Sequence, residues 1–230
     1  METNWPKITV VTPSFNQAEF LEKSIKSVID QGYPNLEYII IDGGSTDGSV
    51  EIIKKYEDKI NYWVSEKDNG QTHAINKGFK RATGDIVAWL NSDDEYTPGT
   101  LDAVADAFMS DEKIDFVFGN RLSIDTDGNV LRHDRSTRFL FSALVLLGMT
   151  ISQPSCFWKR SLFKEHGYLD ETKHFGMDYE FFCRIGRHLH PKHINRPLSL
   201  FRWHDEQKSG TILDVRDSDR QKIKKTYMQS

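Results

Sequence analysis

Ile86-Val87-Ala88-Trp89-Leu90-Asn91-Ser92-Asp93-Asp94 (residues 86–94) sets five apolar residues directly against a polar, acidic end. Five apolar residues in a row leave no face for water, so the run reads as a strand covered on both sides. The polar end is the loop that leaves it. A helix signal follows at once, with Thr97 as N-cap and Pro98 at the first helical position.

The same unit repeats upstream. Residues 8–11 form a short apolar run ended by Thr12-Pro13-Ser14. Residues 19–31 carry Leu21, Ile25, Val28 and Ile29 at helical spacing. Residues 38–41 are a second buried strand, closed by AspGlyGlySerThrAspGly (42–48), and a helix over 49–56 follows with Asp47 or Ser45 near its N-cap. Residues 62–64 read as a third strand, the loop Asp68-Asn69-Gly70-Gln71 leads into a helix over 72–82, and residues 116–118 read as a fifth strand. This βαβα order predicts an α/β fold: a Rossmann-like, mostly parallel sheet flanked by helices, in a single domain.

After residue 120 the rhythm changes. Asp127-Gly128 between residues 122–124 and 130–131 predicts a hairpin. No linker or internal repeat divides the chain. The expected organisation is one domain over 1–213, with a nucleotide-binding half (about 1–120), an acceptor-binding half (about 121–213), and a polar tail over 214–230.

The 230 residues suffice for one large core. A net charge of −4 excludes a broad nucleic-acid footprint. Cys156 and Cys183 lack any metal-ligand spacing and read as reduced and buried, which suits the cytoplasm. The N-terminus carries no signal-peptide pattern. The longest apolar stretch, residues 139–149, is well short of the roughly 20 residues of a spanning helix. It reads either as a core helix or, beside Arg132, Arg135 and Arg138, as an edge that meets the inner face of a membrane or a lipid-linked acceptor.

Three polar clusters fall at strand C-terminal ends: Thr12-Pro13-Ser14, Asp42-Gly43-Gly44 and Ser92-Asp93-Asp94. Each alone is an ordinary turn composition, but in an open parallel sheet those ends line one crevice where ligands bind. Adjacent carboxylates such as Asp93-Asp94 repel unless solvated or neutralised, and oxygen donors of this kind suit Mg²⁺ or Mn²⁺. Neither GxxxxGK[ST] nor a GxGxxG after the first strand is present, which excludes P-loop NTPases and dinucleotide enzymes.

Together, ThrProSerPheAsnGln (12–17), AspGlyGlySerThrAspGlySer (42–49), AspAsnGlyGlnThrHisAlaIleAsnLysGly (68–78), TrpLeuAsnSerAspAsp (89–94) and GlyMetAspTyrGluPhePhe (176–182) resemble family 2 glycosyltransferases of the GT-A fold. The resemblance implies an inverting transferase that moves a sugar from a nucleotide sugar, a UDP-sugar being favoured, to a hydroxyl of a glycan, glycoprotein or lipid-linked acceptor, with Mn²⁺ or Mg²⁺ as cofactor. It implies that Thr12 lines the nucleotide pocket, that Asp42 accepts a hydrogen bond from the base, and that Asp68 lies near nucleotide or sugar. Pro13, Ser14 and Gln71 join that donor-binding set. Asp93 is expected to face the ribose or sugar, Asp94 to hold the metal with His204 near it, and Asp178 to act as general base. Ser92 stands where the family's acidic motif often begins with Asp, which leaves Asp94 as the expected main ligand.

Asp178 also sits in the first turn of a predicted helix, where a carboxylate is favoured by the helix dipole whatever its role. Glu180 is the rival carboxylate, with Arg184 one turn on as its natural partner. His174 is an alternative base, and Trp158 and Trp203 are core or sugar-platform candidates. Two other functions fit less well: a nucleotidyltransferase, which needs a basic Gly-rich first loop, and a non-catalytic carbohydrate or lipid-carrier binder with a degenerate site.

Overall fold

β1 (Ile8–Ser14), β2 (Leu36–Asp42) and β4 (Ile86–Trp89) are buried along nearly their whole length. In the computed structural model, which describes residues 5–136, 138–173, 176–204 and 213–228, their side chains alternate between two cores. Ile8, Val10, Tyr38, Ile40, Ile86 and Ala88 face one side; Val11, Ile39, Ile41, Val87 and Trp89 face the other. That two-sided burial is why these strands read as continuous apolar runs.

The first core is covered by α1 (Ala18–Ile29), α2 (Ser49–Lys55) and α4 (Thr100–Met109), through residues such as Leu21, Ile25, Ile53 and Leu101. The second is covered by α3 (Gln71–Arg81), α5 (Phe141–Leu147), α6 (Leu162–His166), α7 (Met177–Ile185) and α8 (Leu213–Met228). Adding β3 (Tyr62–Ser65), β5 (Glu95–Tyr96), β6 (Phe116–Ile124), β8 (Cys156–Lys159) and β9 (Pro191–Arg202) gives the strand order β3-β2-β1-β4-β8-β6-β9-β5, with β7 (Val130–Asp134) paired to β6. The β1–β2, β2–β3, β1–β4 and β6–β9 pairs are parallel; the pairs made by β5, β7 and β8 are antiparallel. The parallel register sets Ser14 opposite Asp42 and Asp42 opposite Ser65, so the strand ends share one rim.

Close packing of α3 on β1 depends on Gly78. A Cβ there would lie 2.3 Å from Cγ1 of Val11. Gly78→Ala gains about 1 kcal/mol of helix propensity but overpacks a buried contact at a cost of up to about 3 kcal/mol. A net loss of about 2 kcal/mol is expected as a lower urea midpoint with unchanged slope. An unchanged midpoint would show that α3 can lift away from β1.

Several local expectations are corrected. α4 starts at Thr100 after Gly99, not at Pro98. The backbone N–H groups of Thr100 and Leu101 donate to Oε1 of Gln31, while the Thr97 hydroxyl donates to the carbonyl of Pro197, so the cap comes from α1's end. The geometric N-cap of α2 is Gly48, although Oδ1 of Asp47 accepts the Ser49 N–H. Residues 139–149 are core only in part: Leu144 and Val145 are buried, whereas Leu140, Leu146, Leu147 and Met149 are exposed. The polar tail forms α8, docked by buried Ile223 and by the Tyr227 hydroxyl donating to Glu180 at 2.8 Å. Among the described residues no helix is long and apolar enough to cross a membrane.

Candidate active site

The rim of strand ends opens into a cleft of about 700 Å³, lined on the loop side by Pro13, Ser14, Phe15 and Gln17, and by Gly43 and Gly44. Lys67, Asp68, Gly70, Gln71, Asn91, Ser92, Asp93 and His204 complete its wall. The loops are laced together before any ligand arrives. Oδ2 of Asp47 accepts the Ala18 N–H at the start of α1, and Oδ1 accepts both the N–H and the hydroxyl of Ser49. Burial works against the Asp47 charge, but these hydrogen bonds outweigh it and hold the carboxyl below its usual range. Asn16, at φ 50°, accepts the Thr46 N–H and donates its own N–H to Ser45. Gly43 lets Asp68 approach, since a Cβ there would lie 2.9 Å from Asp68 Oδ2.

Asp42 sits beneath this wall, fully buried and outside the cleft lining. Its carboxylate accepts four hydrogen bonds: the Gly44 and Ser45 N–H groups and the Ser45 and Ser65 hydroxyls. These bonds give Asp42 a loop-holding role. Asp42→Ala strands those donors and is expected to cost about 1–3 kcal/mol of stability without ligand. A urea melt beside UDP calorimetry separates the roles: weakened binding at unchanged stability would return Asp42 to the base. Thr12 is likewise buried and outside the lining, its hydroxyl 3.1 Å from that of Tyr38. The Ser14 hydroxyl and Gln17 Oε1 are the opposite case, buried atoms of lining residues with no hydrogen-bond partner among the described residues. Such atoms on a cleft wall are open to a polar ligand or to water.

The acidic end of β4 is organised by β9. Pairing of Glu95 with Leu200 and Tyr96 with Ser199 brings Arg202 and His204 beside Asp93 and Asp94. Arg202 is fully buried; it donates to the carbonyls of Asp93, Asp125 and Thr126 and pairs with Glu95. Asp94, also fully buried, accepts the Arg202 N–H at 3.1 Å and lies 3.5 Å from the Asn91 amide. Desolvation, then the charge of Asp93, pushes its carboxyl well above the ordinary range. The two neighbouring carboxylates part ways, Asp94 turning inward. Asp93 is the one that faces the cleft, its Oδ2 3.0 Å from Nε2 of His204. Asp94, the expected metal ligand, has its carboxyl turned inward onto backbone and is not among the cleft-lining residues.

No group of three or more His, Cys, Asp or Glu side chains among the described residues is arranged to enclose an ion. One carboxylate and one imidazole at the cleft wall instead fit a divalent cation that takes its other ligands from phosphates and water.

Asp178 is the second residue of α7 and accepts the Tyr179 N–H through Oδ1 at 2.8 Å. It is not among the cleft-lining residues, but α7 begins against α3: the Thr72 hydroxyl donates to Lys173 carbonyl and to Met177 sulfur. Thr72 follows Gln71, whose amide donates to Asn91 at 2.9 Å in the cleft floor. Glu180 is held by Arg184 at 2.9 Å. Burial, with the Asp178 charge as a lesser cause, raises the Cys156 thiol well above its usual range. His174 lies outside the described residues. Trp158 is core, whereas Trp203 is substantially exposed beside His204.

Sequence reading missed Phe15, Gln17, Lys67, Asn91 and Arg202. Lys67 supplies a cation to the cleft and Phe15 an aromatic face that is 59% exposed. Phe15 lies inside the 12–17 motif and Lys67 directly precedes the 68–78 motif, which was the available signal.

The family model "Glycosyl transferase family 2" matches residues 9–176. Over 215 residues the chain is 31% identical to the uncharacterised glycosyltransferase RC0461 of Rickettsia conorii, covering 89% of this chain and 35% of that protein. The chain therefore spans about a third of that relative's length. Among solved structures it is similar to S. aureus TarS 1–349 in complex with UDP, at TM-score 0.74 and 17% identity, covering 97% of this chain and 66% of that one. It is also similar to the mannosyltransferase PcManGT from Pyrobaculum calidifontis in complex with GDP-Man and Mn²⁺, at TM-score 0.69 and 20% identity, covering 99% and 66%. The fold is of the GT-A type, and the chain belongs to glycosyl transferase family 2.

Proposed function

We propose that this glycosyltransferase binds a nucleoside-diphosphate sugar, with UDP-sugars favoured, and transfers the sugar with inversion to a hydroxyl of a glycan, glycoprotein or lipid-linked acceptor. The observation that carries the reading is the polar cleft at the parallel strand ends, where the Asp93–His204 pair, Lys67 and the unpartnered Ser14 hydroxyl line one wall. The ligands bound in TarS and PcManGT support a nucleotide donor.

Asp93 and His204 would hold a divalent cation, Mn²⁺ or Mg²⁺, which when bound neutralises charge on the departing diphosphate. Lys67 adds positive charge to the same wall, and Phe15 provides a face for a planar base. Asp178 accepts the acceptor hydroxyl's proton. An ordinary carboxylate, with a pKa near 4, is too weak a base to ionise an alcohol beforehand, so proton transfer accompanies attack. The acceptor oxygen bonds to the anomeric carbon as the bond to the diphosphate breaks on the opposite face, and configuration inverts.

Incubation with a panel of UDP- and GDP-sugars and candidate acceptors, with and without Mn²⁺, tests the reading. Release of nucleoside diphosphate is expected. Nucleotide binding without turnover would leave a non-catalytic binder, and pyrophosphate release from nucleoside triphosphate plus sugar phosphate would make the chain a nucleotidyltransferase.

A further inference from the structure

The exposed face of α5 is mostly apolar, interrupted by Ser142. Leu144 and Val145 point into the core, while Leu146 and Leu147 are 49% and 70% exposed, with Leu140 and Met149 exposed at either end. Beside them runs a groove of about 600 Å³, lined by Arg138, Phe139, Leu140, Phe141, Leu189 and His193 among others. Leu140 and Phe141 belong to both features, so groove and helix face are continuous.

Cations frame this surface. Arg138 is on the groove wall, Arg187 lies 5.0 Å over the Phe141 ring, and Lys224 of α8 donates to the Leu146 carbonyl at 2.8 Å. The chain as a whole carries a net charge of −4, yet residues 135–164 and 181–204 contain no Asp or Glu. Those two segments supply α5, the groove and the end of α7. Of the acids on packed elements, Glu180 pairs with Arg184 and Asp134 with Arg121 and Arg132, while Asp178 stands in the first turn of α7. On α8 the acids Asp214, Asp217 and Asp219 all precede Lys222, Lys224 and Lys225, and it is the basic end that meets α5.

We propose that this face docks on a bilayer containing anionic phospholipid. The leucines and Met149 enter the boundary between headgroups and acyl chains, and Arg138, Arg187 and Lys224 meet the lipid phosphates. Apolar depth combined with a rim of one sign of charge is what an anionic interface rewards. A fluid phase needs no shape complementarity, which suits a row of long flexible side chains interrupted only by the small Ser142. The inference does not depend on the proposed donor or on the role of Asp178.

Flotation of the full chain with phosphatidylcholine vesicles, plain or doped with phosphatidylglycerol, is the test. The chain is expected to float with the anionic vesicles only, and less as salt rises. Arg138→Gln should weaken partitioning about fivefold, the value of one interfacial cation, and Leu147→Glu should abolish it. A retained melting curve and UDP-induced thermal shift show that each variant is folded; if Leu147→Glu fails there, Arg138→Gln carries the test. Absence of flotation, or equal flotation of wild type and folded variants, overturns the proposal. So does a dimer by light scattering that Leu147→Glu disperses, because the face would then be covered by a second copy.

Discussion

Asp178→Asn is expected to lower turnover by about 10²–10⁴ while donor affinity stays within about twofold, the pattern of a lost general base. The substitution keeps shape and hydrogen-bonding capacity, so the helix start should survive: an asparagine oxygen can still accept the Tyr179 N–H that Asp178 Oδ1 accepts now. The proton acceptor alone is removed. The location suits an acceptor-side base, since α7 begins against Thr72, next to Gln71 of the donor cleft, and a carboxylate at a helix N-terminus keeps its charge at low cost. Glu180 separates function from packing. It is bound by Arg184 and by Tyr227, so Glu180→Gln is expected to loosen α8 and lower the melting temperature without a comparable loss in turnover. Steady-state rates with calorimetric donor affinities decide the matter. Near-normal turnover in Asp178→Asn would remove it from the chemistry and leave His174 as the next candidate.

How far this site could be read before folding depended on strand burial. β1, β2 and β4 announce themselves because strands covered on both faces must be apolar throughout. Their order then places Thr12-Pro13-Ser14, Asp42-Gly43-Gly44 and Ser92-Asp93-Asp94 at one rim. What the pattern leaves open is which side chain of each cluster turns outward. Thr12 follows the parity of Val10 and meets Tyr38 in the interior, while Asp42 is drawn under its own loop by Ser45 and Ser65. β9 was invisible for a different reason. ProLysHisIleAsnArgProLeuSerLeuPheArg (191–202) contains two prolines and mixes charge with apolar residues, which argues against a sheet strand from sequence alone. It pairs with β6 through a register that shifts around Gly119 and Asn120. Without β9 and the two-residue β5, no local pattern relates Asp93 to His204, 111 positions apart; the family resemblance alone set His204 near this acidic pair. Local propensity cannot carry a contact made only by long-range pairing.

That contact carries the second large expectation. Asp93→Ala and His204→Ala should each remove the Mn²⁺-dependent part of UDP affinity, by at least the roughly 10–100-fold that loss of an outer-shell partner already produces at metal sites. Asp94→Ala should do something else. Its carboxyl is buried, accepts the Arg202 N–H and contacts Asn91, so removing it leaves a buried donor unmade and costs about 1–3 kcal/mol of stability. The metal response should persist in whatever fraction stays folded. The contrast follows from desolvation: Asp94 turns inward, where burial and the neighbouring Asp93 push its carboxyl toward the neutral form, while Asp93 lines the cleft. Titration of UDP with and without Mn²⁺ on the three variants, each checked by thermal melting, distinguishes the assignments. If Asp94→Ala is stable and blind to Mn²⁺ while Asp93→Ala responds normally, the inward carboxyl must swing out when donor binds, and the cation belongs to Asp94 after all.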